Sequence, residues 1–545
     1  RDWDLFVDYN VQDTALVRKI EFKRKFVDLV INLCTQTRTP FEKVYSTISI
    51  VEGYMLRYLH KVDMVFPDLP LRDYNCDEEE EDSIEGGYVE SHPGYYRKDI
   101  SIDAESLYPS IMRMFNISPE TKIIGDMIRD CHIHSVNPNV AYTQVQGVLP
   151  KIVSDIFFER KKFKNMMFEA ENAGNTELAE YLDSQQMIRK ILINSIYGVL
   201  CNRFFHFYDL DNAANVTGHG REAIQYISNC INDYFSNHFY KVAHKYYPNH
   251  KLEANSIPKR IVFVNDTDSA YIWFEHIYNL TNSGESFLEW TLNFEKIILQ
   301  PFLTKCMDIY AKKYNTENLI NFKREKIILK QYVQGKKKYA TQIIANEKIV
   351  YDTPVLKVTG IEINRSDLCQ YSRKKLKKLL DIMMAGDEYS YPNKDDMLEY
   401  IRSAYKEFKS QSIQDISAPK GINGYNKYDV VLDETFSNFK PHTPMHNKAS
   451  MIYNFIIKKE HLPYMEINDG TKMKYVFVNP RNKYKTNVIG YVGNYPKEFQ
   501  KIFKIDYDEQ FEKQFKAIGQ RMFDVLDFGE ITLKDSKIMS FIEEE

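Results

Sequence analysis

Asp266 and Asp268 stand two residues apart in the polar stretch Asn265-Asp266-Thr267-Asp268-Ser269. The apolar run Ile261-Val262-Phe263-Val264 leads in, and Ala270-Tyr271-Ile272-Trp273-Phe274 leads out. Two β-prone runs joined by a short polar knot predict a hairpin. On extended backbone, side chains at i and i+2 face the same way. The two carboxylates would then form a hard-oxygen pair suited to Mg²⁺. Taken alone, the same residues also read as an Asx turn. A third carboxylate, Asp103, ends a strand-like run over 97–103 in which Ile100 and Ile102 share a face. Ser106-Leu107-Tyr108-Pro109-Ser110 follows, and Pro109 at a first helical position suits a helix start.

Cations that could answer these carboxylates lie on a helical block over about 152–200, broken near Asn172-Ala173-Gly174-Asn175. Its first run carries Arg160 and Lys164 at i, i+4; its second carries Gln186, Lys190, Asn194 and Tyr197 on one face. Either stripe by itself also reads as an ordinary solvated helix face. Gly335-Lys336-Lys337-Lys338-Tyr339-Ala340 is a basic run closed by an aromatic among β-prone residues. That pattern fits a phosphate-tracking groove better than a bare lysine turn does. Carboxylates for metal ions, cations for a triphosphate and rigid elements to hold both are what phosphoryl transfer requires.

The elements that must position these groups belong to a chain of 545 residues, which predicts two to four domains or subdomains. No apolar run is long enough to span a bilayer, and the start does not read as a signal peptide. The seven cysteines, at 34, 76, 131, 201, 230, 306 and 369, form no Cys-x-x-Cys pair. Neither a zinc ribbon nor a disulfide framework is expected, and a reducing cytoplasm fits. The net charge of −4 does not by itself announce a nucleic-acid partner. Acidic segments at 77–82 and 543–545 would mask a basic groove, and each reads most simply as a solvated loop. Helix is expected over 1 to about 60. A mixed region should reach about 360, with helix again from about 361, including a basic amphipathic one near 371–384. A Ser/Gly/Asn-rich loop is expected near 417–430. The chain opens on Arg1 rather than Met, which fits a fragment or a processed product.

Three stations, Asp103 with Ser106-Leu107-Tyr108-Pro109-Ser110, Lys190 with Asn194-Ser195 and Tyr197-Gly198, and Asp266-Thr267-Asp268-Ser269, resemble the polymerase motifs of the family B DNA polymerases, in the family's order. Phe115-Asn116-Ile117-Ser118-Pro119-Glu120-Thr121, the stretch from Gly335 to Tyr339, and Lys427-Tyr428-Asp429 are most similar to the replicative polymerases of T-even-type bacteriophages. The resemblance implies an α+β fold, with an antiparallel-sheet palm, two-helix fingers and a mainly helical thumb arranged as a right hand around primer–template DNA. It implies the end of a 3′–5′ exonuclease domain over 1–21 and the helical part of an amino-terminal domain over 22–66. The palm would occupy 67–147 and 203–360, the fingers 148–202, and the thumb with a carboxy-terminal tail 361–545.

By the same resemblance, Asp103 and Asp268 are the main ligands of two Mg²⁺ ions, with Mn²⁺ as a substitute, and Asp266 lies beside them. Arg160, Lys164, Lys190 and Asn194 grip the deoxynucleoside triphosphate, and Lys190 also protonates the leaving group. Ser106 and Leu107 meet the phosphates through backbone, Tyr108 lies under the sugar, and Tyr197 and Gly198 pack on the nascent base pair. Lys336, Lys337, Lys338 and Tyr339 track the DNA backbone, and Gly86 and Gly87 form a template-contacting turn. Glu325 is a further palm carboxylate. Tyr9 and Asp13 match the last of three exonuclease motifs whose earlier carboxylates are absent here, so an exonuclease-bearing partner chain is expected. The apolar residues of 537–542 resemble a peptide that binds a sliding clamp. No membrane partner is implied, and a viral enzyme in a bacterial cytoplasm is expected.

Two departures stand out. Val264-Asn265 occupies the place of the family's usual Tyr-Gly, and Lys338 replaces an Arg, which exchanges a bidentate phosphate contact for a single one. A protein-primed family B polymerase is an alternative, although the interval from Asp103 to Lys190 is short for its extra insertion. A catalytically silent DNA-binding subunit is the other, opposed by the retained carboxylates.

Overall fold

Helix forms where apolar spacing and caps agree. The computed structural model describes residues 3–66, 68, 84–428, 430–434, 436 and 438–533. Near the start lie α1 (Trp3–Arg24), α2 (Phe26–Thr37) and α3 (Thr47–Lys61). α1 buries none of its side chains, whereas α3 buries Ile50, Val51, Met55 and Leu59 along one stripe. β1 (Val89–Ser91) and β2 (Gly94–Ala104) follow, then α4 (Leu107–Met114). α4 begins two residues before Pro109, because Ser106 turns the chain through the left-handed region at φ 54°. β3 (Lys122–Ile124), β4 (Ile133–His134) and β5 (Val140–Tyr142) form an antiparallel sheet in the order β3-β5-β4.

The helical block divides into α5 (Val148–Asn172) and α6 (Thr176–Leu200), and the Asn175 side chain caps α6 by accepting from the Leu178 N–H. α7 (Leu210–Asp233) is capped the same way by Asp209. The hairpin of β6 (Val262–Asp266) and β7 (Ser269–Trp273) precedes α8 (Glu275–Thr281), α9 (Phe287–Phe294) and α10 (Gln300–Lys313). β8 (Phe322–Gly335), β9 (Lys338–Asn346) and β10 (Ile349–Thr359) pair antiparallel in succession. Beyond them lie α11 (Gln370–Met383) and α12 (Lys394–Phe408), with further helices that include Met445–Lys459 and Ala517–Val525.

The largest sheet has the order β1-β6-β7-β2-β8-β9-β10. The chain divides into two compact units, one of Arg1–Glu90, Ile100–Ile272 and His276–Glu325, the other of Ser91–Asp99, Trp273–Glu275 and Lys326–Glu545. In the first, the apolar residues of β2, β6 and β7 are buried, Ile100, Ile102 and Ile272 completely. The second has two apolar clusters: one gathers Leu376, Leu380, Ile401, Phe408 and Phe515, the other Ile456, Val476, Ile489, Tyr491 and Phe499. That second cluster contains the antiparallel sheet of β11 (Ala418–Gly421), β12 (Lys472–Phe477) and β13 (Val488–Tyr491). Among the described residues of the last third, helix predominates, and the three short strands β11, β12 and β13 accompany it. The loop expected near 417–430 holds β11 and a helical turn over Tyr425–Tyr428, because β11 finds its partner in β12, far along the chain. The protein has mixed helical and antiparallel-sheet architecture. Among the described residues no helix is long and apolar enough to cross a membrane.

Candidate active site

In the β6–β7 hairpin, Asp266 pairs with Ser269 in register, leaving Thr267 and Asp268 as a two-residue turn. Thr267 adopts φ 64° and Asp268 donates its N–H to the Asp266 carbonyl at 2.8 Å. Extended alternation therefore stops at Asp266, and strand periodicity does not set how the two carboxylates face. Two neighbours fix the turn instead. Thr267 N–H donates to Tyr88 O at 2.9 Å, and Gly87 lies so close that a Cβ there would stand 2.6 Å from Thr267 Cγ2. Gly86, by contrast, is open on its side-chain side. Arg221 on α7 donates from Nη1 to the carbonyls of Glu85 at 2.6 Å and Gly86 at 3.1 Å, holding this loop against the hairpin.

The end of β2 meets the same turn. Ala104 N–H donates to Asp268 O at 2.9 Å, which sets the backbone beside Asp103 against Asp268. Asp103, Asp266 and Asp268 are all half-buried. Ser101 shares the strand face of Asp103 and its hydroxyl donates to Glu325 Oε2 at 3.4 Å, so β8 adds a carboxylate on that side. Lys323 Nζ donates to Glu105 Oε2 at 2.8 Å. Burial works to raise the Glu105 carboxyl, but that bond and the charges of Lys323, Lys161 and Lys164 outweigh it and hold the group below its ordinary value.

Among the described residues, no three or more His, Cys, Asp or Glu side chains converge as a ready-made metal cage. A pair of carboxylates on interlocked strand ends is still a fitting donor set for Mg²⁺, which keeps several waters and is usually held by one or two carboxylates plus substrate phosphates.

Just after Asp103 in the chain comes the start of α4, where Leu107 and Tyr108 open the helix. Arg160 on α5 donates from Nη1 to Ser106 Oγ at 3.3 Å and from Nε to Gln186 Oε1 on α6 at 3.4 Å, tying three helices at one corner. Lys164 is half-buried, with Nζ 5.7 Å from the Phe168 ring. Lys190, Asn194 and Gly198 lie exposed along α6. Tyr197 turns inward, its ring centroid 4.6 Å from that of Tyr108. Beneath Tyr108 runs α7, where a Cβ on Gly220 would stand 2.8 Å from Tyr108 Cε1.

The sequence marks Lys161 as part of a lysine cluster and Lys323 as a neighbour of Glu325 but assigns neither a role, and it does not single out Gly220 or Arg221. One signal was available for these last two: Gly218-His219-Gly220-Arg221 puts two glycines inside a helix, where glycine is costly unless close packing requires it. Asn265 turns inward, accepting from Ser228 Oγ at 2.7 Å, so the residue that replaces the expected glycine is spent on the core.

Within the second unit, Lys336 and Lys337 form the exposed two-residue turn between β8 and β9, with Lys337 at φ 56°. Lys338 pairs with Glu362 at 3.1 Å, and Tyr339 is buried. Tyr9 and Asp13 lie one turn apart on the exposed α1. The tail over 537–545 and the acidic segments at 77–82 and 543–545 lie outside the described residues.

The family model for DNA polymerase family B matches residues 40–524. The chain is 25% identical over 592 residues to the DNA-directed DNA polymerase of Enterobacteria phage T4, covering 94% of this chain and 62% of that protein. It is 25% identical over 537 residues to the enzyme of the same name from Escherichia phage RB69, covering 83% and 55%. DNA polymerase II of Escherichia coli (strain K12) is 23% identical over 549 residues, covering 98% and 58%. The chain thus spans less than two thirds of the length of these relatives.

Proposed function

Because this chain belongs to DNA polymerase family B, we propose that it is a DNA-templated DNA polymerase that adds deoxynucleotides to a primer 3′-hydroxyl. The observation that carries this reading is the Ala104 N–H to Asp268 carbonyl bond, which locks two carboxylate-bearing strand ends together beside the cationic corner of α4, α5 and α6.

Asp103 and Asp268 would hold Mg²⁺, with Asp266 next to them; Mn²⁺ would substitute. When bound, the metal supplies positive charge to phosphate oxygens and acidifies the attacking hydroxyl. The chain's own groups do the rest. Arg160, Lys164, Lys190 and Asn194 bind the triphosphate and neutralise its charge, and Ser106 and Leu107, at the start of α4, meet its phosphates through backbone. Lys190 donates a proton to the departing pyrophosphate oxygen. Tyr108 stacks under the sugar on the floor made by Gly220, while Tyr197 and Gly198 back the nascent base pair. Gly86 and Gly87 let the template backbone approach, Glu325 adds negative charge beside the metal site, and Lys336, Lys337, Lys338 and Tyr339 follow the duplex phosphates.

In this reading, residues 67–147 and 203–360 are the palm, 148–202 the fingers and 361–545 the thumb and tail, following the amino-terminal helices over 22–66. Tyr9 and Asp13 within 1–21 would complete an exonuclease carried by another chain, the tail would engage a sliding clamp, and the enzyme would work in the cytoplasm of an infected bacterium.

Primer extension with Mg²⁺ tests the proposal. Asp103→Ala and Asp268→Ala are each expected to abolish incorporation while primer–template binding persists. Undiminished incorporation by Asp268→Ala would overturn the mechanism.

A further inference from the structure

In the first unit, α7 and α10 meet along a regular ladder. Glu222 pairs with Lys313 at 2.6 Å. Four residues on, Tyr226 lies opposite Tyr310, with ring centroids 5.4 Å apart. Tyr234, just past the end of α7, stacks on Phe302 at 4.5 Å. Residues four apart lie on one helix face, so the rung between the tyrosine pair and the Tyr234–Phe302 pair belongs to Cys230 and Cys306. The two thiols are near enough to interact electrostatically, and the Tyr226 hydroxyl is near enough to influence Cys230. Cys306 is buried and Cys230 half-buried, so Cys230 is the more accessible residue of the pair.

We propose that Cys230 and Cys306 are a peroxide-responsive thiol pair that closes into a disulfide joining α7 to α10. The Cys230 thiolate attacks one peroxide oxygen, the O–O bond breaks, and the second oxygen leaves as hydroxide and takes up a proton. Cys230 is then a sulfenic acid. The Cys306 sulfur attacks Cys230 Sγ, the S–O bond breaks, and the oxygen leaves as water with the Cys306 proton. Two thiols and one peroxide become one disulfide and two waters; both electrons come from sulfur. The order of attack follows from the environment. The neighbouring Cys306 thiol, helped by the Tyr226 hydroxyl, outweighs burial and holds the Cys230 thiol below its ordinary value, which favours the thiolate at Cys230. The same interaction, with burial, pushes the Cys306 thiol up, which suits the resolving partner. Burial also pushes up the thiols of Cys201 and Cys369. A transient, oxidant-formed bond is the kind that occurs in reducing compartments. It would tether α7, the helix that floors Tyr108 and holds the loop at 85–87, to α10.

The test uses the full chain. After treatment with hydrogen peroxide, the protein is denatured, alkylated and digested without reductant. Alkylatable thiols are expected to fall by two from the seven in the sequence. A peptide linking Cys230 to Cys306 should appear, lighter by two hydrogens than its reduced parts, and dithiothreitol should restore both thiols. Cys306→Ala should give no link, and Cys230, no longer lowered by its neighbour, should form a dimedone-trappable sulfenic acid more slowly than the parent loses its thiols, while Cys230→Ala should leave Cys306 unmodified. Retention of both thiols under conditions that oxidise the exposed Cys131 would overturn the proposal, as would links scattered among other cysteines. The peptide map of the unaltered chain decides this even if a variant fails to fold.

Discussion

Tyr108 is held from two directions, by the ring of Tyr197 and by the bare backbone of Gly220. A ring so confined cannot swing aside for a ribose 2′-hydroxyl. Tyr108→Ala is therefore expected to admit ribonucleotides. Gly220→Ala, whose new methyl group would press on Tyr108 Cε1, should change sugar discrimination without removing the ring. The readout is the ratio of kcat/KM for ribo- and deoxyribonucleotides; if Tyr108→Ala keeps the parental ratio, another residue is the gate. Lys190 is exposed on the same helix face as Asn194 and is assigned the role of general acid. Its replacement by Ala should slow single-turnover incorporation by about 10²–10⁴-fold, the usual worth of such a group, with little change in primer–template affinity. An unchanged rate at saturating nucleotide would remove Lys190 from the chemical step. The residue types at Asp103, Asp266, Asp268 and Lys190 were legible in the sequence. The supporting roles of Gly220 and Arg221 were not, since a glycine's value lies in a neighbour that local sequence does not name.

At the scale of elements, α7 carries the least expected feature. His219 is completely buried and stacked on Phe115, with ring centroids 3.5 Å apart. Val136 N–H donates to its Nε2 at 3.3 Å, so the proton sits on Nδ1 and is given to Tyr310 Oη at 3.2 Å. Burial, with a contribution from Lys313, lowers the imidazole to about 3. In the unfolded chain His titrates near 6.5. As pH falls below that value the unfolded state takes up a proton and the folded state does not until about pH 3. Stability must therefore decline across that window, by about 1.4 kcal/mol per pH unit from this group. His219→Gln, which cannot titrate, should flatten the decline in melting temperature between pH 6.5 and 5, though its Tm at neutral pH will be lower for lost packing. An identical slope in both proteins would refute the assignment. The hairpin of β6 and β7 and the break between α5 and α6 could be read from periodicity and turn residues. The β11 pairing could not, because a four-residue strand acquires its identity from β12.

Across the whole molecule, the two sites differ in setting: a backbone hydrogen bond brings Asp268 to the end of β2, whereas Asp13 lies on the exposed α1. Excision of a 3′ end by two metals requires several carboxylates at one place, and the exonuclease motif matched here supplies Asp13 with Tyr9 beside it on the exposed α1. The 545-residue chain is expected to release no nucleotides from a labelled, mismatched primer with Mg²⁺ and no triphosphates. Excision should appear on adding a chain that bears the missing motifs, and Asp13→Ala should then reduce it. Robust release by the isolated chain, abolished by Asp13→Ala, would show that the missing carboxylates are not needed. The sequence by itself determined the carboxylates, the cationic helix faces and the hairpin, because each is a matter of residue type and short-range spacing. Only the tertiary structure decided that Asp268 meets the end of β2, that Tyr108 rests on Gly220, that Asn265 turns into the core and that Cys230 lies opposite Cys306. Each of these contacts joins segments distant in the chain, and the order of strands and the register of helices that select such partners come from packing, which local periodicity does not encode.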